Sequence, residues 1–377
     1  MNKYNFDLEK YIEELETMVN QDSGSEYPEG VNVIANFLKE KYDNLGWITK
    51  LHDLDQSVGP CLEIKNKDTD EFDVLMIGHM DTVFPQGTAA ERPFKIEGNR
   101  AYGPGVVDMK ASLLSIYYAM EQLNETPNEM PSICILHNSD EEISSKASRP
   151  LIEEIAKKSK IVLVLEPARK NGALVNGRKG LAKFAIEFNG VAAHSGVNPQ
   201  DGISAINELG NWIVELHKLT DYERETTVNV GIVSGGTKAN VVAAKAEAEV
   251  DLRFKIPTEL ERVENKFKEL LGNPFTEGIK VNVKRIGYRP PMNPTKEAEV
   301  LYNKVNELGE NLGIDIQWVF TGGGSDANFT AALGVPTIDG MGPVGGDSHG
   351  INEYLEIDTV EPRLNLLREL IKAIPSL

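Results

Sequence analysis

The sequence predicts an α/β protein whose mixed, largely parallel sheet is interrupted by a smaller inserted domain. Three observations lead to this fold class. Short apolar strand segments alternate with amphipathic helices in the first half, which is typical of parallel sheets. Near Gly177 the pattern changes to half-exposed alternating strands, and near Met292 the first pattern returns. A chain of 377 residues also exceeds the usual size of one hydrophobic core. We therefore predict one domain from residues 1–178 plus 292–377, and an inserted domain from residues 179–291.

The first half begins with helices and then settles into strand–helix pairs. Residues 7–19 and 29–45 are predicted to be helical, because apolar side chains recur there every three or four positions. Strand-like segments follow at 47–52 and 61–65. The alternating part then comprises strands at 74–77, 132–136 and 161–165 and helices from Met109 to Leu123 and through Leu151 and Ile155.

Each of the three alternating strands ends in acidic or imidazole side chains. His79 and Asp81 follow the first strand, Glu141 and Glu142 the second, and Glu166 the third. Ligand sites of α/β sheets lie outside the carboxyl ends of the strands, so these side chains are expected to meet. The histidine and aspartate are two residues apart and point the same way, as a metal ligand and its orienting partner do. The adjacent glutamates are expected to extend a strand and face opposite ways, so that one binds metal and the other acts as a base.

Asp108 stands at the entrance of a predicted helix, and two interpretations remain open for it. An aspartate at this position commonly caps the helix. The glycine-proline loop ahead of it, Tyr102-Gly103-Pro104-Gly105, instead favours backbone held closely around a bound group.

The inserted segment has the element order βαββαβ, which is that of a ferredoxin-like α+β sandwich. Its predicted elements are strands at 180–189, 226–233, 243–254 and 279–286 and helices at 203–219 and 257–271. The chain then returns with helices at 298–312 and 358–373, and with two glycine-containing loops, Gly322-Gly323-Gly324 and Gly345 to Gly350. Neither loop has the spacing of a phosphate-binding motif.

Composition excludes several classes of function. The net charge of −19 argues against binding to nucleic acid or to anionic membranes. No segment has the length of a membrane span, and the two cysteines, Cys61 and Cys134, have no spacing that indicates a disulfide or a thiolate metal site. We expect a cytoplasmic protein.

Five motifs in order resemble those of the M20 family of dinuclear zinc peptidases, in particular carboxypeptidase G2-like glutamate carboxypeptidases. They are His79-Met80-Asp81, Gly105-Val106-Val107-Asp108-Met109-Lys110, Asp140-Glu141-Glu142, Glu166-Pro167 and the late His349. The resemblance extends over nearly the whole chain. It implies a zinc-peptidase catalytic domain with an inserted lid and dimerisation domain.

The resemblance also implies two zinc ions per chain, with Mn²⁺ or Co²⁺ as substitutes. His79 and Glu166 would hold one ion, Glu142 and His349 the other, and Asp108 both. Asp81 would orient His79, and Glu141 would be the general base for a metal-bridged water. Carboxylate and imidazole ligands without thiolates suit these metals.

In the inserted domain, the resemblance implies roles for a further set of residues. His194, in Ala192-Ala193-His194-Ser195-Gly196, would reach the active site of a partner subunit in a homodimer and stabilise the oxyanion. Asn240, Arg253 and Arg289 would face the substrate, the two arginines clamping its free carboxylate, and Gly323 would let the backbone approach that end.

The expected reaction is hydrolysis of the C-terminal amide of a small peptide or an N-acyl amino acid. A deacylase or dipeptidase of the same family is the alternative, because Ala173-Leu174-Val175 replaces the cationic and hydroxyl residues of glutamate-selective relatives. The family's Asp-x-Lys-Gly reads Asp108-Met109-Lys110-Ala111 here. Outside enzymes, the alternatives are a two-lobed solute-binding protein and a metal-bound pseudoenzyme, and the intact Glu141 argues against the latter.

Overall fold

The computed structural model describes residues 6–376, and the chain divides into two compact units. The first unit comprises the chain up to Gly177, Asn293–Thr321 and the chain from Ser325 onward. The second comprises Arg178–Met292 and Gly322–Gly324. No helix within residues 6–376 is long and apolar enough to cross a membrane.

The first unit begins with helices that pack on a growing sheet. α1 is capped by the Asp7 side chain, which accepts a hydrogen bond from the backbone N–H of Lys10, and α2 starts with a proline. The helices of this part are α1 (Leu8–Val19), α2 (Pro28–Asn44), α3 (Thr88–Glu91), α4 (Ala111–Leu123) and α5 (Arg149–Ala156). Its strands are β1 (Ile48–His52), β2 (Cys61–Lys65), β3 (Phe72–His79), β4 (Lys95–Glu97), β5 (Arg100–Tyr102), β6 (Ile133–Asn138), β7 (Ser159–Val164) and β8 (Leu174–Arg178).

The second unit is a four-stranded antiparallel sheet with two helices. Its elements are β9 (Gly180–Asn189), α6 (Ala205–His217), β10 (Thr227–Gly235), β11 (Lys245–Phe254), α7 (Thr258–Gly272) and β12 (Lys280–Arg289). The strand order β10-β11-β9-β12 is that of a ferredoxin-like fold, and the core of the unit includes Phe188, Trp212 and Phe267. β10 lies at one edge of this sheet.

The chain then returns to the first unit. The returning elements are α8 (Lys296–Leu312), β13 (Trp318–Thr321), α9 (Ala327–Ala332), β14 (Thr337–Ile338), β15 (Gly345–Gly346), β16 (Tyr354–Glu356) and α10 (Val360–Ala373). β14 completes the main sheet, whose order is β1-β2-β6-β3-β7-β14. β15 and β16 join β5 and β4 in a second small sheet, which ties the late segment to the region just before Asp108.

At the centre of the main sheet, the ends of β3, β6 and β7 that precede the candidate site residues lie side by side. β3 lies between β6 and β7 and runs parallel to both, with His79 opposite Asn138. Its side chains from Val74 to Met76 are fully buried, as expected for a strand covered on both faces. The predicted fold class, an α/β sheet interrupted by a ferredoxin-like α+β insertion, is confirmed. The insertion begins and ends one residue outside the predicted range 179–291.

Candidate metal centre

The imidazole of His79 is held rigidly at the end of β3. The ring is 2% exposed, and its Nδ1 lies 2.9 Å from the backbone carbonyl oxygen of Asp81, to which it donates. A neutral ring with its proton on Nδ1 presents the unprotonated Nε2 to the site. That nitrogen lies 3.1 Å from Oδ1 of Asp108 and 3.9 Å from Oε1 of Glu166. The ring of His79 is therefore oriented toward Asp108 and Glu166, mainly by the carbonyl oxygen of Asp81 rather than by its carboxylate.

Asp108 lies between two imidazoles. It lies in the segment Val106–Lys110, which follows Gly105 (φ of 71°), and its own backbone is not helical, with φ of −115° and ψ of 89°. Oδ1 faces His79, and Oδ2 lies 3.4 Å from Nε2 of His349. The following helix α4 has no side-chain cap. Of the two interpretations left open by the sequence, helix capping is therefore not supported, and the other, backbone held closely around a bound group, remains.

Glu141 and Glu142 do not extend a strand, so that expectation was wrong. β6 ends at Asn138, and the two glutamates lie in a 3-10 turn, Glu141–Ile143. The fully buried carboxylate of Asp81 accepts the backbone N–H groups of both glutamates at 3.2 Å and the hydroxyl of Ser25 at 2.6 Å. Asp81 thus fixes the turn from which the two glutamates project.

The side chains nevertheless converge as predicted. Oε2 of Glu142 lies 3.2 Å from Nε2 of His349, a half-exposed ring. Ligand atoms of His79, Asp108 and Glu142 lie within 4.8 Å of one another, and so do those of His79, Glu141 and Glu166. All of these residues belong to the first unit.

The electrostatics of the cluster are those of a cation site. Burial, and next the nearby Asp108, raise the pKa of Glu166 well above its usual value. Burial also raises the pKa of Glu142. Hydrogen bonds with Asp108 and Glu142 raise the pKa of His349 to about 11. The cluster therefore carries more carboxylate than its own imidazoles can neutralise, and bound cations would relieve the repulsion.

The donor spacing also fits a metal. Neighbouring ligand atoms around a tetrahedral zinc ion, each about 2.0–2.2 Å from it, are roughly 3.4 Å apart. The imidazole–carboxylate distances involving Asp108 and Glu142 are 3.1, 3.2 and 3.4 Å. Nitrogen and oxygen donors at this spacing suit zinc, manganese or cobalt.

The remaining predicted residues lie in the second unit. His194 and Asn240 are exposed, and the backbone N–H of Ser195 donates to the carbonyl oxygen of Asn240 at 3.0 Å. Nδ1 of His194 accepts the backbone N–H of Gly196 at 3.2 Å, so a neutral ring carries its proton on Nε2.

The two predicted substrate arginines differ in environment. Arg253 binds both carboxylate oxygens of Asp251 at 2.8 and 3.2 Å and donates to the Gly322 carbonyl at 3.3 Å. Arg289 is only 2% exposed. Arg178, which is also buried, donates to the carbonyl oxygen of Gly323 at 3.1 Å. The glycine loop is thus held by arginine side chains through its carbonyl groups.

Sequence reasoning missed three residues that shape the centre. Glu353 accepts the backbone N–H groups of Gly105, Val107 and Asp108, each at 3.0 Å. Ser25 binds Asp81, as described above. Asp140 accepts the backbone N–H of Ala147 at 2.7 Å and so closes the loop that follows Glu142. Only Asp140 carried a signal, since it adjoins the two glutamates in the sequence.

Comparison with known proteins agrees with the motifs. Residues 75–373 match the sequence profile of peptidase family M20/M25/M40. The chain is 30% identical over 368 residues to carboxypeptidase G2 from Pseudomonas sp. (strain RS-16), covering 96% of this chain and 88% of that protein. It is 27% identical over 315 residues to an acetylornithine deacetylase from Buchnera aphidicola subsp. Schizaphis graminum, covering 79% of this chain and 80% of that protein.

A solved structure shares the fold. The crystal structure of aminopeptidase PepT from Bacillus cereus ATCC 10987 superposes with a TM-score of 0.80 at 24% identity, covering 98% of this chain and 99% of that chain. The resemblance inferred from the five motifs is confirmed, and the hydrolases that match this chain identify it as an enzyme. The chain belongs to peptidase family M20/M25/M40.

Proposed function

We propose that this enzyme hydrolyses the C-terminal amide bond of small peptides or N-acyl amino acids, in the manner of a glutamate carboxypeptidase. The observation that carries the proposal is the position of Asp108, whose two oxygens face two different imidazoles. A carboxylate in that position can serve two metal ions at once. The 30% identity to carboxypeptidase G2 supports the same reaction class.

Two zinc ions would be held as the motifs imply. His79 and Glu166 would bind one, Glu142 and His349 the other, and Asp108 both. When bound, such ions polarise a carbonyl group and make water more acidic, and manganese or cobalt can do the same. The protein supplies the fixed orientation, through the Asp81 carbonyl oxygen that accepts from His79 and the backbone amides that donate to Glu353.

Glu141 is the proposed general base. Its backbone is fixed by Asp81, and its carboxylate lies with the imidazole of His79 and the carboxylate of Glu166 in one group of side chains. Glu141 would accept a proton from the attacking water and then deliver it to the nitrogen of the leaving amine. The proton thus moves from water to amine, and the carboxylate is regenerated.

His194 is the proposed oxyanion donor, acting from the partner subunit of a homodimer. The hydrogen bond from Gly196 leaves Nε2–H as the donor of a neutral ring on an exposed loop. Dimerisation would involve β10, an edge strand whose Ile232 and Val233 are 60% and 53% exposed. Pairing with a second copy would cover this edge.

The free carboxylate of the substrate would be bound by the inserted unit. Arg253 and Arg289 would donate to it, with Asn240 and the backbone around Gly323 beside them. For Arg253 this requires release of Asp251, with which it is paired.

A second candidate is a deacylase or dipeptidase of the same family. It is favoured by the stretch Ala173-Leu174-Val175, which is apolar and fully buried and so offers no cationic contact to a glutamate side chain. The 27% identity to an acetylornithine deacetylase agrees with it. For both candidates we propose a cytoplasmic enzyme acting on small solutes, since a net charge of −19 opposes binding to polyanions.

The test is a turnover screen of N-acetyl amino acids and dipeptides with protein reconstituted with zinc, manganese or cobalt. We expect two metal ions per chain by elemental analysis and loss of turnover on chelation. Glu141→Ala should retain metal but lose several orders of magnitude in kcat, whereas Glu40→Ala, an exposed glutamate on α2, should not. Full activity in protein without bound transition metal would overturn the proposal.

A further inference from the structure

A cavity of about 470 Å³ opens beside the proposed metal ligand Glu142. One wall is the turn of Glu142 and Ile143, and the others are two loops, residues 24–27 and 82–86. All of these residues belong to the first unit. The volume is in the range of sites that hold small organic ligands.

The two loops are joined and fixed. Gly24 and Thr82 form a β-bridge, and the backbone N–H of Ser25 donates to the carbonyl oxygen of Thr82 at 3.1 Å. A Cβ atom on Gly24 would collide with the carbonyl oxygen of Phe84, so the loops are in close contact. Ser25 is bound in turn to Asp81, which holds the turn of Glu142. The cavity is therefore preformed, and its walls are fixed in position relative to the proposed metal centre.

The lining combines apolar and polar side chains, and none of the lining residues is cationic. Tyr27, Val83, Phe84, Pro85 and Ile143 contribute half of its side chains, and the valine and isoleucine are 41% and 38% exposed. A guanidinium, that of Arg92, covers one face of Phe84 at 4.6 Å from the ring centroid and fixes the ring. The charged residues among those lining the cavity are both acids, Glu26 and Glu142.

We infer that this cavity binds the acyl half of the substrate, and that it selects a bulky, uncharged, apolar acyl group. The inference rests on the proposed function, in which the other half carries a free carboxylate. Glu26, the acid in the wall that is not a proposed metal ligand, repels that carboxylate, so the half without it occupies the cavity. Burial of methylene or aryl groups against the apolar side chains of the wall contributes favourable binding free energy. An acetyl group leaves most of the cavity volume unfilled. An anionic acyl group such as succinyl is repelled.

The experiment compares three acyl groups on one amino acid, the best of the N-acetyl screen described above. We expect kcat/KM to be at least about tenfold higher for the 3-phenylpropanoyl compound than for the acetyl compound, and lower for the succinyl compound than for either. Val83→Asp should reduce the ratio of phenylpropanoyl to acetyl turnover about tenfold. Val300→Asp, which alters a 56% exposed valine on α8 that does not line the cavity, should leave the ratio unchanged.

Binding without turnover separates this inference from the proposed function. Ligand-observed NMR should detect 3-phenylpropanamide but not succinamate, and Val83→Asp should weaken the former. If no N-acyl amino acid and no dipeptide is hydrolysed, the proposed function fails while this binding result still decides the cavity. The inference is overturned if acetyl and phenylpropanoyl compounds react equally well and the amide does not bind. It is also overturned if dipeptides with a free amine are preferred and Glu26→Gln removes that preference, because the cavity would then be an amine site.

Discussion

The buried carboxylate of Glu353 should control metal affinity without touching the metal. Glu353 is 1% exposed and follows His349 by four residues. Its Oε1 accepts the amides of Val107 and Asp108, and its Oε2 accepts that of Gly105, each at 3.0 Å. It thereby joins the loop of His349, one proposed metal ligand, to the segment of Asp108, the proposed shared ligand. The informative change is Glu353→Gln, which keeps the shape of the side chain.

The magnitude follows from the hydrogen bonds. A glutamine side chain has one acceptor oxygen and directs an NH₂ group toward at least one of the three backbone donors. Leaving one buried N–H unsatisfied costs roughly 1–3 kcal/mol. Residues that orient metal ligands typically change metal affinity about 10- to 100-fold when they are mutated. We expect zinc affinity to fall by about this factor, and Glu353→Ala, which removes all three bonds, to lose more.

The assay is a competitive zinc titration with a chromophoric chelator, together with thermal unfolding of the metal-free protein. Glu356→Gln is the matched control, because Glu356 makes a partly exposed pair with Arg100 at 3.2 Å, and such pairs contribute little. A purely structural role would lower the stability of the metal-free protein and leave zinc affinity unchanged once folding is complete. Unchanged zinc affinity and kcat in Glu353→Gln would refute the positioning role.

Three further predictions concern other parts of the chain. Burial lowers the pKa of His137 to about 3, and its ring nitrogens have no hydrogen-bond partner among the described residues. Below about pH 6.5 the unfolded chain therefore binds a proton that the folded chain does not, and the free energy of unfolding falls by about 2 kcal/mol by pH 5. Urea titrations of His137→Phe should lose this pH-dependent component. Val233→Lys on β10 should convert the proposed dimer to monomers in analytical ultracentrifugation and reduce kcat, and a wild-type protein that sediments as a monomer would contradict the proposal. Arg289→Lys should raise KM about tenfold on free-acid substrates and not on their amides, since lysine lacks the bidentate fork, and equal losses on both would mean that the arginine is structural.

The main sheet could be predicted because its strands are continuous apolar segments. β3, β6 and β7 are buried on both faces, so each is marked in the sequence regardless of its partners. His79 and Glu166 could be recognised as candidate site residues because they stand at the ends of two of these strands. The strands β13 to β16 have between two and four residues, and their existence depends on partners far along the chain. No local periodicity can indicate such segments.

The same distinction holds within the site. The proposed metal ligands were recognised because acids and imidazoles after apolar strands are unusual. Ser25 and Glu353 act on backbone amides and carboxylates that are 56 and at least 245 residues away, which no spacing rule detects. Glu141 and Glu142 were recognised, but their turn depends on a buried acceptor, Asp81, from another strand end.

The divided construction of the first unit has a consequence during biosynthesis. The ribosome completes His79, Asp108, Glu142 and Glu166 long before it reaches His349. Until β14 is made, β7 remains an open sheet edge next to an unfinished cluster of carboxylates. The second unit, by contrast, is almost continuous in sequence and has its own core, so it can fold before synthesis of the first unit is complete. Complete loading of the proposed metal centre therefore follows the synthesis of β14 and His349, and a ribosome stalled before β14 holds a chain with a folded insertion and an unfinished site.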